Sequence, residues 1–161
     1  MVFFIFGLGL YMVELSYYDA WYKGSLDLHK SLGVITAILL LLRVTWRVIS
    51  IRPNDLTEKE WERKIAHWVH LVLYAGLFFL LLMGFFISTA NGQPIMVFEI
   101  LEVPAMPWQI ENQEDIAGEI HEILAWFIIL MTAIHALAAL KHHFISKNDV
   151  LRRMLKSKKL V

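Results

Sequence analysis

The sequence predicts an all-α fold in which a single domain, residues 1–161, forms a bundle of four transmembrane helices. Hydrophobic residues make up 58% of the chain, whereas soluble domains of this size contain about 45–50%. The apolar residues form long runs interrupted by charged stretches. The basic residues are concentrated in alternate interruptions, which is typical of a multi-pass membrane protein.

The first apolar segment, about residues 1–15, is short. As a helix, Met1–Val13 spans roughly 20 Å, against roughly 30 Å of bilayer hydrocarbon. It has neither the basic start nor the small-residue cleavage site of a secretory signal. We therefore expect that the first helix lacks its N-terminal part, because the start codon is assigned too late or the chain is trimmed, or that it is truly of half length.

Three longer apolar segments follow. A polar, aromatic connector, Ser16–Ser25, precedes the second and is typical of the membrane–water interface. A hydrophilic loop, 51–63, precedes the third, and Asn91-Gly92 ends it. A longer loop, 93–116, leads to the fourth, and the basic tail is predicted to form a short surface helix. The three segments and the tail cover about 26–49, 64–90, 117–144 and 145–161.

Charge sorting predicts the orientation of the bundle. Asn91–Ile116 contains no Lys or Arg and carries five carboxylates. The positive-inside rule therefore places the middle loop, both termini and the tail in the cytoplasm, with the other two loops outside. The basic residues on the predicted cytoplasmic side are Arg43, Arg47, Arg52, Lys59, Arg63, Lys64, Lys141, Lys147, Arg152, Arg153, Lys156, Lys158 and Lys159.

The composition excludes several kinds of site. The chain has no cysteine, which excludes disulfides, thiolate metal sites, iron–sulfur clusters and covalently attached haem. A formal net charge of zero gives no support to nucleic-acid binding. Zinc-protease, nucleotide-binding and serine-nucleophile motifs are absent. Any metal must therefore be held by carboxylate, Met or one of seven histidines.

Three histidines lie inside the predicted spans at related depths. His29 and His121 lie near the outer ends of the second and fourth segments, so they form a bis-histidine site of the kind that holds a haem iron. His135 follows His121 by close to four helical turns, which places both on one face about 21 Å apart. This arrangement suits two haems and is too spread for a compact metal cluster.

The residue that would act as second ligand together with His135, at the inner level, stays undecided at this point. His67 and His70 lie at suitable depth near the start of the third segment, and a histidine upstream on the first helix is a further alternative. For His67 and His70, hydrogen bonding between packed helices is the competing interpretation. Two cations have predicted roles as partners of haem propionates, Arg43 at the inner level and Lys30 at the outer.

The remaining polar residues of the spans have simpler interpretations. Arg47 is interpreted as a residue that extends to the membrane surface, and His142 and His143 as interfacial polar residues. For His29, His121 and His135 together, the depth-matched pattern favours ligation over packing.

The chain resembles the bacterial cytochrome b561 family along essentially its whole length. The closing stretch is the most specific, with two histidines fourteen residues apart followed by ALKHHF. The stretches that carry the resemblance are LDLHKSLGV at 26–34, LLLLRVTWRV at 39–48, HWVHLVLYAGLF at 67–78, ISTANGQPI at 87–95 and GEIHEILAWFIILMTAIHALAALKHHFISKNDVLRRM at 118–154.

The resemblance implies a di-haem b protein of the bacterial inner membrane. It implies that His29 and His121 ligate the outer haem and that His135 ligates the inner one. The family's fourth ligand is a histidine early in the first helix, and this sequence begins after that point. The inner haem is then absent, five-coordinate or ligated by His70, unless the native start lies upstream.

The resemblance also implies membrane electron transfer in a respiratory chain, with quinone, expected to be ubiquinone, as the partner in the lipid phase. Two alternatives stay open. One is an enzyme that oxidises superoxide and reduces ubiquinone, against which the acidic outer loop weighs because it repels anions. The other is a non-catalytic haem-binding subunit that donates electrons to a periplasmic partner docked on Phe98, Glu99, Glu102 and Trp108.

Overall fold

The computed structural model describes residues 1–50, 60–108 and 110–144, with all their side chains except those of Glu62, His142 and His143. The predicted surface helix of the basic tail and most of the hydrophilic loop lie outside the described residues. So do the side chains predicted to be interfacial, His142 and His143.

Four α-helices dominate the described residues: α1 (Val2–Val13), α2 (Tyr22–Ile49), α3 (Glu60–Ser88) and α4 (Gln113–Phe144). Three of them contain spans long and apolar enough to cross a membrane, and α1 is apolar but shorter. At 1.5 Å per residue, the 28 residues of α2 extend about 42 Å, enough to cross the hydrocarbon and reach both interfaces. The spans are Tyr22–Ile49, Arg63–Ser88 and Gln113–Lys141.

The helices pack in a closed arrangement around α3 and α4, which form the most extensive pair. Gly76 lets these two helices approach closely, because a Cβ there would lie 2.6 Å from Cδ1 of the buried Ile128. Small residues serve the same purpose at many membrane helix interfaces. The helix α1 packs on α2 and α4, and the ring of Phe6 contacts Trp126 edge-to-face with centroids 4.9 Å apart.

The buried positions of the bundle include small polar residues. Ser25, Ser31 and Thr36 on α2 are at most 5% exposed. The Thr36 hydroxyl donates to the Leu32 carbonyl of its own helix at 2.7 Å, so it needs no partner elsewhere. The large apolar side chains instead cover the outer surface, as a bilayer requires.

A two-stranded hairpin lies within the segment 93–116, which was predicted as a longer loop, in a fold that is otherwise helical. Strand β1 (Ile95–Val97) pairs antiparallel with β2 (Leu101–Val103). Their turn places Phe98 at φ 49° and Glu99 at φ 60°, in the left-handed region that Gly or Asn usually occupies. No hairpin signal is present in the sequence, because these turn residues are atypical and each strand is only three residues long.

The hairpin covers the end of the bundle where α3 stops and α4 starts. Ile95 and Val97 are buried, and the Phe98 amide donates to the Ser31 hydroxyl of α2 at 2.9 Å. Gln113 begins α4 and links it to α3, because its Nε2 donates to the Phe86 carbonyl at 2.9 Å. This bond accounts for a start of α4 earlier than the predicted residue 117.

Candidate functional site

A cavity of about 780 Å³ lies between the four helices and the hairpin. Its volume falls in the range of about 300–1,000 Å³ that is usual for ligand and cofactor pockets. Its walls are mainly Leu, Ile, Val and Phe side chains, which exclude water. The polar or ionisable side chains that line it are His29, Lys30, Thr36, Ser88, His121 and Glu122.

Two histidines face each other across this cavity. The rings of His29 on α2 and His121 on α4 have centroids 6.3 Å apart and planes at 68°. Two metal–imidazole bonds of about 2 Å each, with the two ring radii added, come to about 6 Å. The spacing of the two rings is therefore close to the spacing that a single metal ion between them would require.

His121 is oriented by α3. Its Nδ1 lies 2.9 Å from the Leu80 carbonyl and donates to it, which leaves Nε2 free as a ligand. Gly84 makes this approach possible, because a Cβ there would lie 3.1 Å from His121 Cε1. Ligating histidines characteristically donate their second ring nitrogen to a carbonyl in this way.

His29 is held in a similar way by α1. A Cβ at Gly9 would lie 3.2 Å from His29 Cε1, so the ring packs against bare backbone. Its Nδ1 is buried without a hydrogen-bond partner among the described residues, and the Ile5 backbone of α1 faces it outside hydrogen-bond geometry. A buried ring nitrogen without a hydrogen-bond partner is unfavourable, which is the sign of a functional position rather than of simple packing.

A second histidine pair lies further along the same helices. His70 on α3 and His135 on α4 have ring centroids 5.1 Å apart. Within the described residues, His70 is thus the histidine whose ring contacts His135, while His67 lies exposed one turn earlier. The spacing is shorter than at the first pair, so the rings must separate by about 1 Å to accept a metal.

Two arginines of α2 lie beside the second pair. The Arg43 Nε donates to the Tyr74 hydroxyl at 3.0 Å, and the Arg47 guanidinium lies 5.2 Å from the centroid of the Tyr74 ring. The sequence reasoning did not single out Tyr74, although its spacing of four residues from His70 places both on one face of α3.

Lys30 and Glu122 each follow a histidine of the first pair in sequence, and both line the cavity. Neither forms an ion pair with another described side chain. Glu122 was also missed by the sequence reasoning, because a carboxylate beside a histidine has no distinctive spacing. The two residues place one positive and one negative charge at this level.

The donor set indicates what kind of metal cofactor the cavity can hold. Among the described residues, no group of three or more His, Asp or Glu side chains is arranged around a metal position. The two facing imidazoles can supply axial ligands, and the remaining ligands must come from the cofactor itself. A flat tetrapyrrole in an apolar slot meets this requirement.

The sequence pattern of prokaryotic cytochrome b561 matches residues 1–157. The chain belongs to the prokaryotic cytochrome b561 family. Members of this family are haem-binding membrane proteins of electron transport, and membership implies b-type haem as the cofactor.

Individual relatives of this cytochrome b561 chain agree with the assignment. Cytochrome b561 homolog 2 of Escherichia coli (strain K12) is 46% identical over 156 residues, 96% of this chain and 83% of the relative. Cytochrome b561 homolog 1 of the same organism is 28% identical over 139 residues, 83% of this chain and 76% of the relative. The Yersinia pestis protein "Probable superoxide oxidase CybB" is 28% identical over 151 residues, 88% of this chain and 79% of the relative.

Proposed function

We propose that this protein carries electrons between b-type haem and quinone in the bacterial inner membrane. The observation that carries the proposal is the pair of His29 and His121 rings, 6.3 Å apart across an apolar cavity of about 780 Å³. When bound, the haem supplies a one-electron couple. His29 and His121 would both hold the haem, an arrangement that would favour electron transfer over oxygen binding.

The chain's residues have separate roles in this proposal. His29 and His121 hold the outer haem, and the Leu80 carbonyl fixes the ring and tautomer of His121. His135 holds a second haem at the inner level, with His70 as the opposing ring in the described chain. Lys30 and Arg43 pair with haem propionates at the outer and inner levels, and the apolar walls keep water out.

The orientation follows the charges. We place the middle loop and both termini in the cytoplasm, so the hairpin and the connector 16–25 face the periplasm. The first histidine pair then lies near the outer surface and the second near the inner. The axial separation of His121 and His135 is about 21 Å.

The primary experiment measures haem b per chain by pyridine haemochrome in the purified full-length protein. We expect two haems in the wild type and loss of one in each of His29→Ala, His121→Ala and His135→Ala. His67→Ala is the matched control, since this exposed histidine contacts no described histidine ring, and should keep both. Full haem content in the His29→Ala and His121→Ala variants would contradict the proposal.

His70 is tested in the same assay. If His70 ligates the inner haem, His70→Ala should lose that haem as His135→Ala does. If it keeps two haems, another group opposes His135 and the contact between the two rings is packing.

Superoxide oxidation coupled to ubiquinone reduction is the second candidate. The Yersinia relative's name and the positive charge of Lys30 on the cavity wall favour it. The five carboxylates between residues 91 and 116, with no basic residue among them, weaken steering of an anion. Superoxide-dependent reduction of ubiquinone by the purified protein would favour this enzyme, whereas quinone reduction that needs an added protein donor would favour a subunit role.

A further inference from the structure

The tip of the hairpin exposes apolar side chains that the bundle leaves uncovered. Phe98, Ile100 and Leu101 are 46%, 88% and 53% exposed, whereas Ile95 and Val97, earlier in the same hairpin, are buried. Proteins rarely keep contiguous apolar surface of this kind in water without a partner. We therefore expect the tip to have an apolar neighbour outside the chain.

One hydrogen bond fixes the level of the tip along the bundle. The Phe98 N–H donates to the hydroxyl of the buried Ser31 of α2 at 2.9 Å. The turn of the hairpin therefore lies at the level of Ser31. This residue follows Tyr22, the first residue of α2, by nine positions, or roughly 14 Å of helix. The tip thus lies alongside α2 and not above its beginning.

The charged residues of two helices end at this same level. Lys30 is the last charged residue of α2 before the uncharged run 31–42, and Glu122 is the last of α4 before the uncharged run 123–140. Each directly follows a member of the facing histidine pair, so the two ends lie at one height. The boundary between lipid headgroups and hydrocarbon lies where such charges stop. The tip, which is bonded one residue after Lys30, lies at this boundary.

One carboxylate limits how deep the tip can lie. Glu99 stands between Phe98 and Ile100 in the turn and is exposed. A charged group is costly in hydrocarbon but stays hydrated among the lipid headgroups. Apolar side chains on both sides of a single charge therefore suit the boundary itself, where each finds its own environment within reach.

Two other occupants fit this face less well. A second copy of the chain would bring the same acidic surface against itself, because the segment 91–116 carries five carboxylates and no basic residue. A soluble partner would have to reach the level at which the charges of α2 and α4 end, which is inside the headgroup layer. Lipid is present at that level in any membrane.

We propose that the tip of the hairpin, formed by Phe98, Ile100 and Leu101, inserts among the lipids at the boundary between headgroups and acyl chains and anchors the hairpin to the bilayer. Because Ile95 and Val103 of the same hairpin line the cavity, this anchor holds the cover of the cavity from outside. The bilayer thus takes part in closing the cavity, whatever the cavity binds.

The test places one fluorescent label at the tip. The chain has no cysteine, so Ile100→Cys gives a single labelling site in the purified full-length protein. Gln93→Cys is the matched control, because Gln93 is exposed and polar and precedes β1 at the same end of the bundle. Both proteins carry the same bimane label in phosphatidylcholine vesicles. Protein inserted in the reverse direction affects the two labels equally.

Quenching by aqueous iodide and by nitroxides at several depths of the acyl chain locates each label. The label at residue 100 should lose most of the iodide quenching that the label at residue 93 shows. It should be quenched most by nitroxides near the carbonyl end of the acyl chain, since Glu99 keeps the tip at the boundary. If Ile100→Cys does not fold, Leu101→Cys takes its place with the same expected result.

A second measurement tests whether the anchor holds the cover. Ile100→Asn makes the tip polar and leaves the Phe98 hydrogen bond in place. In the same vesicles, cleavage at Glu102 by glutamyl endopeptidase should be several-fold faster than in the wild type, because the hairpin opens more often. Gln93→Asn is the control and should keep the wild-type rate.

Three results would overturn the proposal. Equal iodide quenching of the two labels would place the tip in water and favour a soluble partner at this face. Equal nitroxide quenching of both would mean that the whole hairpin, and not its tip, lies in lipid. Unchanged cleavage of Ile100→Asn would reject the anchoring role. None of these measurements depends on haem, so each result leaves the proposed function intact.

Discussion

At the residue scale, the site depends on glycines as much as on histidines. His29 and His121 both place the Nδ1–Cε1 edge of the ring against a glycine of another helix, Gly9 and Gly84 respectively. At Gly84 this contact lets the ring reach the Leu80 carbonyl, which also serves the backbone ladder of α3. The glycine is needed here for close approach and not for an unusual backbone conformation.

Gly84→Ala should therefore disturb the outer haem. The added Cβ would lie 3.1 Å from Cε1 and 3.3 Å from Nδ1 of His121, closer than ordinary contact, so the ring must move off the Leu80 carbonyl. Changes of this kind around a metal ligand typically weaken metal binding about 10- to 100-fold. Haem content and the rate of haem loss to apomyoglobin measure the effect.

Gly7→Ala is the control for this experiment. A Cβ at Gly7 meets nothing within 4 Å, and alanine favours a helix more than glycine does. The Gly7→Ala variant should retain haem as the wild type does. Equal haem loss from both variants would show that helix substitution in general, and not contact with His121, is responsible.

At the element scale, the hairpin covers one end of the cavity. Ile95 and Val103 line the cavity, while Ile100 at the tip is 88% exposed. The strained turn at Phe98 and Glu99 persists because the strands bury Ile95 and Val97 and because Ser31 accepts the Phe98 amide. The hairpin is thus tied to α2 one half-turn from His29.

Ser31→Ala should loosen the hairpin. It leaves the Phe98 N–H without its acceptor, which costs about 1 kcal/mol or more where water is excluded. We expect faster cleavage by a glutamyl endopeptidase at Glu99 and Glu102, which lie in and beside the turn. Cleavage rates under native conditions report the local opening.

Ser25→Ala is a matched control for this change, since both serines are 1% exposed. The Ser25 hydroxyl donates to the Tyr22 carbonyl of its own helix, and that carbonyl keeps its backbone partner without it. Cleavage of the hairpin should stay at the wild-type rate. Faster cleavage in Ser25→Ala as well would mean that loss of a buried hydroxyl from α2, and not of the Phe98 bond, opens the hairpin.

At the scale of the whole molecule, the described helices carry opposite charge at their two ends, for example Glu114 and Asp115 at the start of α4 and Lys141 near its end. The two histidine pairs share α4 and lie at two levels along it, the first with a partner ring on α2 and the second with a partner ring on α3. The electron path that we propose therefore has a direction relative to the membrane. Its sense depends on the orientation that the positive-inside rule assigns.

Reporter fusions measure this orientation. Alkaline phosphatase inserted at 104–108 should be active, because it folds only outside the cytoplasm, and green fluorescent protein at the C-terminus should be fluorescent. Exchanging the two reporters should abolish both signals. The opposite pattern would invert the bundle and place the His29–His121 pair near the cytoplasm.

Several features follow from sequence alone. The long apolar runs determine three membrane-length helices, because the bilayer requires each backbone polar group to be satisfied within its segment. The fourteen-residue interval between His121 and His135 determines two levels on α4, since helical geometry is regular. Both conclusions depend on residues close in sequence.

Other features were decided only by tertiary structure. The facing of His70 and His135, the packing of His29 and His121 against glycines, and the contacts of Tyr74 join residues from different helices, and no periodicity encodes which faces meet. The hairpin depends in the same way on the buried surface beneath it, which outweighs the unfavourable φ angles of Phe98 and Glu99. Local patterns thus predict the helices, while packing between helices sets the geometry of the site.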